Sequence, residues 1–505
     1  MKIFDKLANK SGSENISKNF FIGCPEAEGE NQNSPVNILD VFEDYLDTMT
    51  ALNNGKFIIT GRKGAGKSAI AEYVQGRADN ESTVFCSRLN MSDFKIHELL
   101  QSHCLSNIDE GFIIEWVLYT NFAKLLVQNQ KLLSDHYLKN LERFLKRNTG
   151  YVEISESAIQ ELIEKKEWNL QVGNLLDIAN KLGIGNAKEF RKRRPYYYEL
   201  LPILRDTIKQ LIHNIDIQND MSEYIIFIDD LDVGVHADDK ASLDIVYELV
   251  RKARDFNKTF SRNFCVILLL RSDISQIIEK NYADSGKIFS SYSIALDWYD
   301  SAKFSKNEND VLLKRFINKR ITNCFIKNSV SFNQSAPWES LIKADFSEHN
   351  KSSFAVVLQS SFFRPRDFIL FFNKLPERNL SLPINRDSFD ELFIDLADGI
   401  FTESCNELSL HYAKDQMQVC EAAMRHFGRK YFKAKDFYTY VSNFRINVDP
   451  EELLKHFFYY SIVGNIDDTR TKVFFQHRDS PINQDIEFLV STPIRNHFFR
   501  TELFH

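Results

Sequence analysis

Glycine and proline are scarce in this chain, 18 and 11 among 505 residues, which excludes a collagenous, linker-dominated or low-complexity protein. Long apolar runs are missing too. The longest, Phe264 to Leu270, falls far short of the roughly 20 residues a membrane-spanning helix needs. Lys2 and Lys6 have no apolar stretch behind them, so no signal peptide is expected. The seven cysteines are odd in number and scattered, with no pair in CxxC spacing, which implies neither a zinc site nor a disulfide framework. Free thiols without an export signal point to the reducing cytoplasm. The formal charge is −7, without the positive excess that chains bound mainly to nucleic acid often carry. What the chain has in quantity is phenylalanine, 42 residues. That abundance, with the scarcity of glycine and proline, predicts a well-packed, helix-rich chain, of about two to four domains at this length.

Four segments follow from the pattern. Residues 1–36 are polar (SGSEN, EAEGENQNSP) and read as a flexible start. Residues 37–300 alternate short apolar runs with helices, beginning with a helix from about Asn37 to Leu52. Lys56–Thr60, Thr83–Leu89, Tyr224–Ile228, Phe264–Leu270 and Ser291–Trp298 read as strands. Continuous apolar strands between helices indicate a parallel sheet covered on both faces. A helical, charged insertion at about 110–220 interrupts this core and carries Arg191–Arg194, the run RKRR. Residues 301–400 read as a helical lid. The last part, 401–505, reads as helices at 407–427, 434–443 and 449–460, then strands at 472–476 and 486–490, a winged-helix-like order.

The run G-R-K-G-A-G-K-S from Gly61 to Ser68 matches GxxxxGK[ST], with a strand before it and a helix after it. Glycines at 61, 64 and 66 let backbone N–H groups point inward around a phosphate without Cβ clashes. The helix beginning at Ser68 turns its positive dipole end toward the anion. Lys67 is placed for the β- and γ-phosphates and the Ser68 hydroxyl for Mg²⁺, with Lys63, Ala65 and Ala69 completing the cradle. ATP with Mg²⁺ is the ligand this predicts. No NKxD run accompanies it, which disfavours guanine nucleotides.

The strand YIIFI runs straight into Asp229, Asp230 and Asp232. Asp229 is the candidate for holding the metal through a bound water. Asp230 sits where a carboxylate could polarise attacking water, but aspartate is one methylene shorter than glutamate, so slow hydrolysis is expected. Asp232 reads as a cap of the next turn. Arg271, at the end of FCVILLL, either faces the γ-phosphate or forms a salt bridge. In SFFRPRDFILFFN, Pro365 suits a helix start, and Arg366 beside it is either a sensor of nucleotide or an ion-pair partner of Asp367 or another carboxylate. Arg315 and Arg320 are either trans-acting residues of an oligomer or solvated.

Together GRKGAGKS, FIDDLD, VILLLRSD and RPRDFILFFN resemble the additional-strand P-loop ATPases, the group that includes AAA+-like, KAP-like and STAND branches. The doubled aspartate is similar to STAND and KAP members, RPRD is placed like the sensor arginine of AAA+ lids, and FIGCPEAEGE resembles the same group. Within it the chain looks most like bacterial ATPases of anti-phage defence loci. The resemblance spans about 20–375. It implies an α/β three-layer P-loop NTPase with a parallel sheet, a helical insertion, a helical lid and a C-terminal winged-helix-like domain. It also implies ATP binding and self-association as a homo-oligomer; no nuclease, protease or deaminase signature is visible, so an effector would be a partner protein or a domain not recognised from its motifs. The chain departs from AAA+ enzymes at Asp230 and Arg271, which argues against vigorous turnover.

The expectation is therefore a cytoplasmic, slowly hydrolysing ATPase that acts as a nucleotide-dependent switch or regulatory subunit, with no membrane partner. The alternative is a DNA-binding ATPase using the winged helix and the RKRR cluster, although the helix 449–460 is poor in basic residues for a major groove. A small-molecule kinase is disfavoured by the long gap from Lys67 to Asp229.

Overall fold

A computed structural model describes residues 17–90, 110–129, 197–214, 222–231, 240–260, 263–299, 307–346, 351–409, 411–470, 472–476 and 480–499, with a few positions between 131 and 145. Arg191–Arg194, Asp232 and most of the insertion lie outside the described residues. Two compact units divide the chain. One is Leu46–Lys63 with Lys67–Leu296; the other is Met1–Tyr45, Gly64–Gly66 and Asp297–His505.

The first unit is α/β. Five strands, β1 (Ile58–Gly61), β2 (Val84–Asn90), β3 (Glu223–Asp229), β4 (Phe264–Arg271) and β5 (Ser293–Ala295), form one sheet in the order β2-β3-β4-β1-β5. Every neighbouring pair is parallel. Apolar, β-branched strands of this kind need cover on their faces, and helices provide it. They are α1 (Lys67–Asn80), α2 (Glu110–Gln128), α3 (Tyr197–Asn214), α4 (Lys240–Thr259), α5 (Ser272–Asn281) and α6 (Ser285–Tyr292). In α4 the buried positions Leu243, Val246, Val250, Ala253 and Phe256 recur at helical spacing, which is why this segment is a helix that packs on β4.

Phenylalanine builds much of this core. Phe85, Tyr224 and Phe264 occupy one register row across β2, β3 and β4. Their rings stack with centroids 5.1 and 5.0 Å apart, and Phe122 of α2 meets Tyr224 and Phe264 edge-on. Each such pair contributes about 0.5–1.5 kcal/mol beyond its buried area. The next row contains Cys86, Ile225 and Cys265. Burial pushes the Cys265 thiol up to about 12 and raises Cys86 as well. At pH 8 iodoacetamide should accordingly label both residues at least about tenfold more slowly in the native protein than after denaturation, as read by mass spectrometry.

The second unit is mainly helical. Its helices include α7 (Leu312–Lys327), α8 (Pro365–Phe372) and α9 (Arg386–Leu408), then α10 (Lys414–Phe427), α11 (Ala434–Ser442), α12 (Pro450–Tyr459) and α13 (Thr492–Phe498). Trp338, Phe354, Phe368, Phe371 and Phe372 are fully buried together beside α8. Toward the end of the chain β6 (Val463–Ile466), β7 (Val473–Phe474) and β8 (Glu487–Val490) form an antiparallel sheet in the order β7-β6-β8. The central strand β6 was not expected from the sequence. Gly464 and Asn465, poor strand formers, stand between Val463 and Ile466, and Gly464 is needed because a Cβ there would lie 2.5 Å from the Phe475 ring.

Two sequence expectations near the start change. The single helix Asn37–Leu52 is two short ones, Ile38–Val41 and Thr48–Asn53. Between them Asp47 takes a left-handed φ of 52°, while the Tyr45 ring packs 5.9 Å from Trp298 and 6.4 Å from Phe316. Nor is the chain loose from Ser17 onward. Phe20, Ile22 and Val36 are buried, and Glu30 is buried with Arg320 of α7, bonded at 2.6 and 2.9 Å. Polar composition hid this because the buried acid has its partner about 290 residues away. Among the described residues no helix is long and apolar enough to cross a membrane.

Candidate functional site

The chain leaves β1 at Gly61, turns, and enters the 14-residue helix α1 at Lys67. In the turn Gly64 has φ 79° and Gly66 φ 100°. Side-chain-bearing residues pay about 1–2 kcal/mol in that region, so the glycines are required by the path itself. Alternation of right- and left-handed residues is the backbone pattern in which successive peptide N–H groups turn toward one side. The N–H groups of the first turn of α1, from Lys67 through Ser68 and Ala69, lack intrahelical acceptors and carry the positive end of the helix dipole. The Lys67 ammonium donates to Gly61 O at 3.0 Å and Arg62 O at 3.3 Å, so it lies across the turn. Lys63, in the turn itself, is half-buried.

The carboxyl ends of the neighbouring strands carry the polar residues. Gly61 pairs in register with Arg271, and Asn90 with Asp229. The Asp229 carboxylate is buried. It accepts from Arg88 at 2.7 Å through one oxygen and from the Asp230 N–H at 2.9 Å through the other. Asp230 itself is half-buried with a left-handed φ of 52°, a conformation uncommon for a residue other than glycine. Such outliers concentrate at functional sites. Arg88 also pairs with Glu72 of α1, so one guanidinium joins the helix after the glycine turn to the acidic end of β3. Sequence reasoning gave neither Arg88 nor Glu72 a role. The signal was an arginine two residues from the end of β2, with its acid at the end of the next strand in sequence, 141 residues on.

Arg271 is buried, and Asp273 at the start of α5 takes its fork, Nε at 3.1 Å and Nη at 2.6 Å. The salt-bridge alternative is therefore realised, at a position that adjoins Gly61 on β1. Arg366 lies in the second unit at the start of α8. It donates to Pro25 O at 2.9 Å and pairs with Glu403 at 3.3 Å, while Asp367 is taken by Arg364 at 2.6 Å. Within the same unit Arg366 N lies 3.4 Å from Gly64 O, and a Cβ at Gly64 would meet the Arg366 side chain at 3.0 Å. Arg315 is exposed and paired with Glu43. Arg320, as the partner of Glu30, is buried in the unit and is not a surface residue available to a neighbouring subunit.

Among the described residues no group of three or more His, Cys, Asp or Glu could hold a metal unaided. A magnesium ion carried by phosphates asks for less, one or two protein oxygens, and the Asp229 carboxylate and Ser68 hydroxyl are of the right chemistry. No family model, curated protein or solved structure matches the chain.

Proposed function

We propose that the chain binds ATP with Mg²⁺ on the turn Gly61–Ser68 and hydrolyses it slowly, as a nucleotide-dependent switch. The observation that carries this reading is the glycine turn with Gly64 and Gly66 at positive φ between a buried parallel strand and a helix. A chain satisfies those constraints when its backbone N–H groups are to face an anion. The strand order adds support. β4 stands between the strand that feeds the turn and the strand that ends in Asp229, the feature after which the additional-strand class is named.

In this reading the N–H groups of Gly64 to Ser68 bind the β-phosphate, and the Lys67 ammonium swings from the Gly61 and Arg62 carbonyls onto the β- and γ-phosphate oxygens. Ser68 and Asp229 would hold Mg²⁺, which when bound would supply neutralisation of the phosphate charge. Asp230 orients the attacking water, and its short side chain keeps turnover low. Arg271 is held by Asp273 and exchanges that partner for phosphate charge only when nucleotide loads. Self-association and a place in anti-phage defence rest on the sequence resemblance alone.

The test is titration calorimetry with Mg–ATP. Micromolar or tighter binding is expected, and Lys67→Ala should weaken it about 10- to 100-fold, the worth of a charge-assisted hydrogen bond. Absence of binding heat in the wild-type protein overturns the reading.

A second reading, nucleic-acid binding by the C-terminal helices and small sheet, has one observation in its favour. Arg425, Arg429, Lys430, Lys433 and Lys435 are exposed around the end of α10, beside the exposed ring of Tyr431. Helix α12, the expected reading helix, instead buries Leu453, Leu454, Phe457 and Phe458 and opens with Glu451 and Glu452. If this reading holds, duplex affinity falls steeply with salt and on neutralising the α10 cluster.

A further inference from the structure

Two groups outside the glycine turn hold its tip, and both lie in the tip's own compact unit. The indole N–H of Trp298 donates to Ala65 O at 2.9 Å, and both residues are buried. The backbone N–H of Arg366 points to Gly64 O at 3.4 Å. Peptide planarity turns these contacts into an orienting device. In a trans peptide the C=O and the N–H of the next residue point in opposite directions. Fixing Ala65 O toward Trp298 therefore fixes the Gly66 N–H on the other side, and fixing Gly64 O does the same for the Ala65 N–H.

We propose that Trp298 is a positioning residue for phosphate binding: its indole sets the 65–66 peptide plane so that the Gly66 N–H faces the anion nest, with the start of α8 acting likewise on the 64–65 plane. The inference rests on the nucleotide reading above and deepens it. It also accounts for the ring's surroundings. Tyr45 and Phe316 flank Trp298 at 5.9 and 6.0 Å, which fixes the indole plane and hence the direction of its single donor. Without that donor the tip keeps its sequence and its glycines but loses the constraint on which way its peptides face. Ordering them then falls to the ligand, and affinity drops.

Trp298→Phe removes the N–H and keeps an aromatic ring. Calorimetry with Mg–ATP and, separately, Mg–tripolyphosphate should show the same loss for both ligands, about tenfold, because the N–H concerned meets only phosphate. A residue that merely packs would shift the melting temperature of the ligand-free protein and leave both dissociation constants unchanged, and that outcome overturns the proposal. A loss confined to ATP overturns it as well. Should Trp298→Phe not fold, Phe316→Leu carries the test: it loosens the indole's seat without touching the turn, and a smaller loss, equal for both ligands, is expected. If the wild-type protein binds neither ligand, the nucleotide reading falls and takes this inference with it. If it binds both and the two variants bind as well as wild type, only the positioning role is lost.

Discussion

Glu30→Ala should destabilise the protein by about 3–5 kcal/mol, the typical cost of stranding one member of a buried ion pair. Arg320 and Glu30 are almost completely buried, and the pair is bidentate, with N–O distances of 2.6 and 2.9 Å. The same carboxylate accepts from the Cys24 N–H at 2.8 Å. Truncation therefore leaves a guanidinium and a main-chain donor without their acceptor where water has little access, and each carries a desolvation cost. The expected drop in melting temperature is roughly 6–10 °C by calorimetry. Replacing both members with apolar residues of similar size, Glu30→Leu with Arg320→Met, should recover most of the loss, because no charge then remains to be desolvated. A single-variant loss under about 1 kcal/mol would mean that water reaches the pair and that the segment before Tyr45 is not fastened by it.

Pairs of this kind mark the limit of what the sequence discloses. The parallel sheet was legible because β3 and β4 are unbroken apolar runs, and a strand buried on both faces can hardly look otherwise. The turn at Gly61–Ser68 was legible because glycine is rare in this chain and the spacing is strict. Local signals also gave α8, through Pro365 at its first position, and α12, through Asp449 capping Glu451 and Glu452 N–H. What escaped depends on partners distant in sequence. Nothing beside Arg88 says that it meets Asp229, 141 residues on. Nothing in DWYD says that Trp298 reaches back to Ala65. Strand β6 escaped because Gly464 and Asn465 interrupt the strand preference of Val463 and Ile466, while the strands that pair with it, β7 and β8, come later in the chain.

The Arg88–Asp229 pair also offers the sharpest check on the metal. In the ligand-free protein Arg88→Met should cost about 3–5 kcal/mol, since it removes the ion-pair partner of the buried Asp229 carboxylate. If Asp229 lies where a magnesium ion carried by nucleotide sits, that ion and its waters supply part of the missing positive charge. Mg–ATP would then stabilise Arg88→Met more than it stabilises the wild-type protein, by about 1–2 kcal/mol of the lost energy. Nucleotide without the metal should give no such extra gain, because polyphosphate alone adds negative charge near an unpaired acid. The experiment is a four-way comparison of melting curves, wild type and variant, with ATP in Mg²⁺ or in chelator. Equal stabilisation of the two proteins by Mg–ATP would separate Asp229 from the metal. The carboxylate would then be the counter-ion of Arg88, holding β2 to β3, and the acidic strand end would have to be explained without the nucleotide.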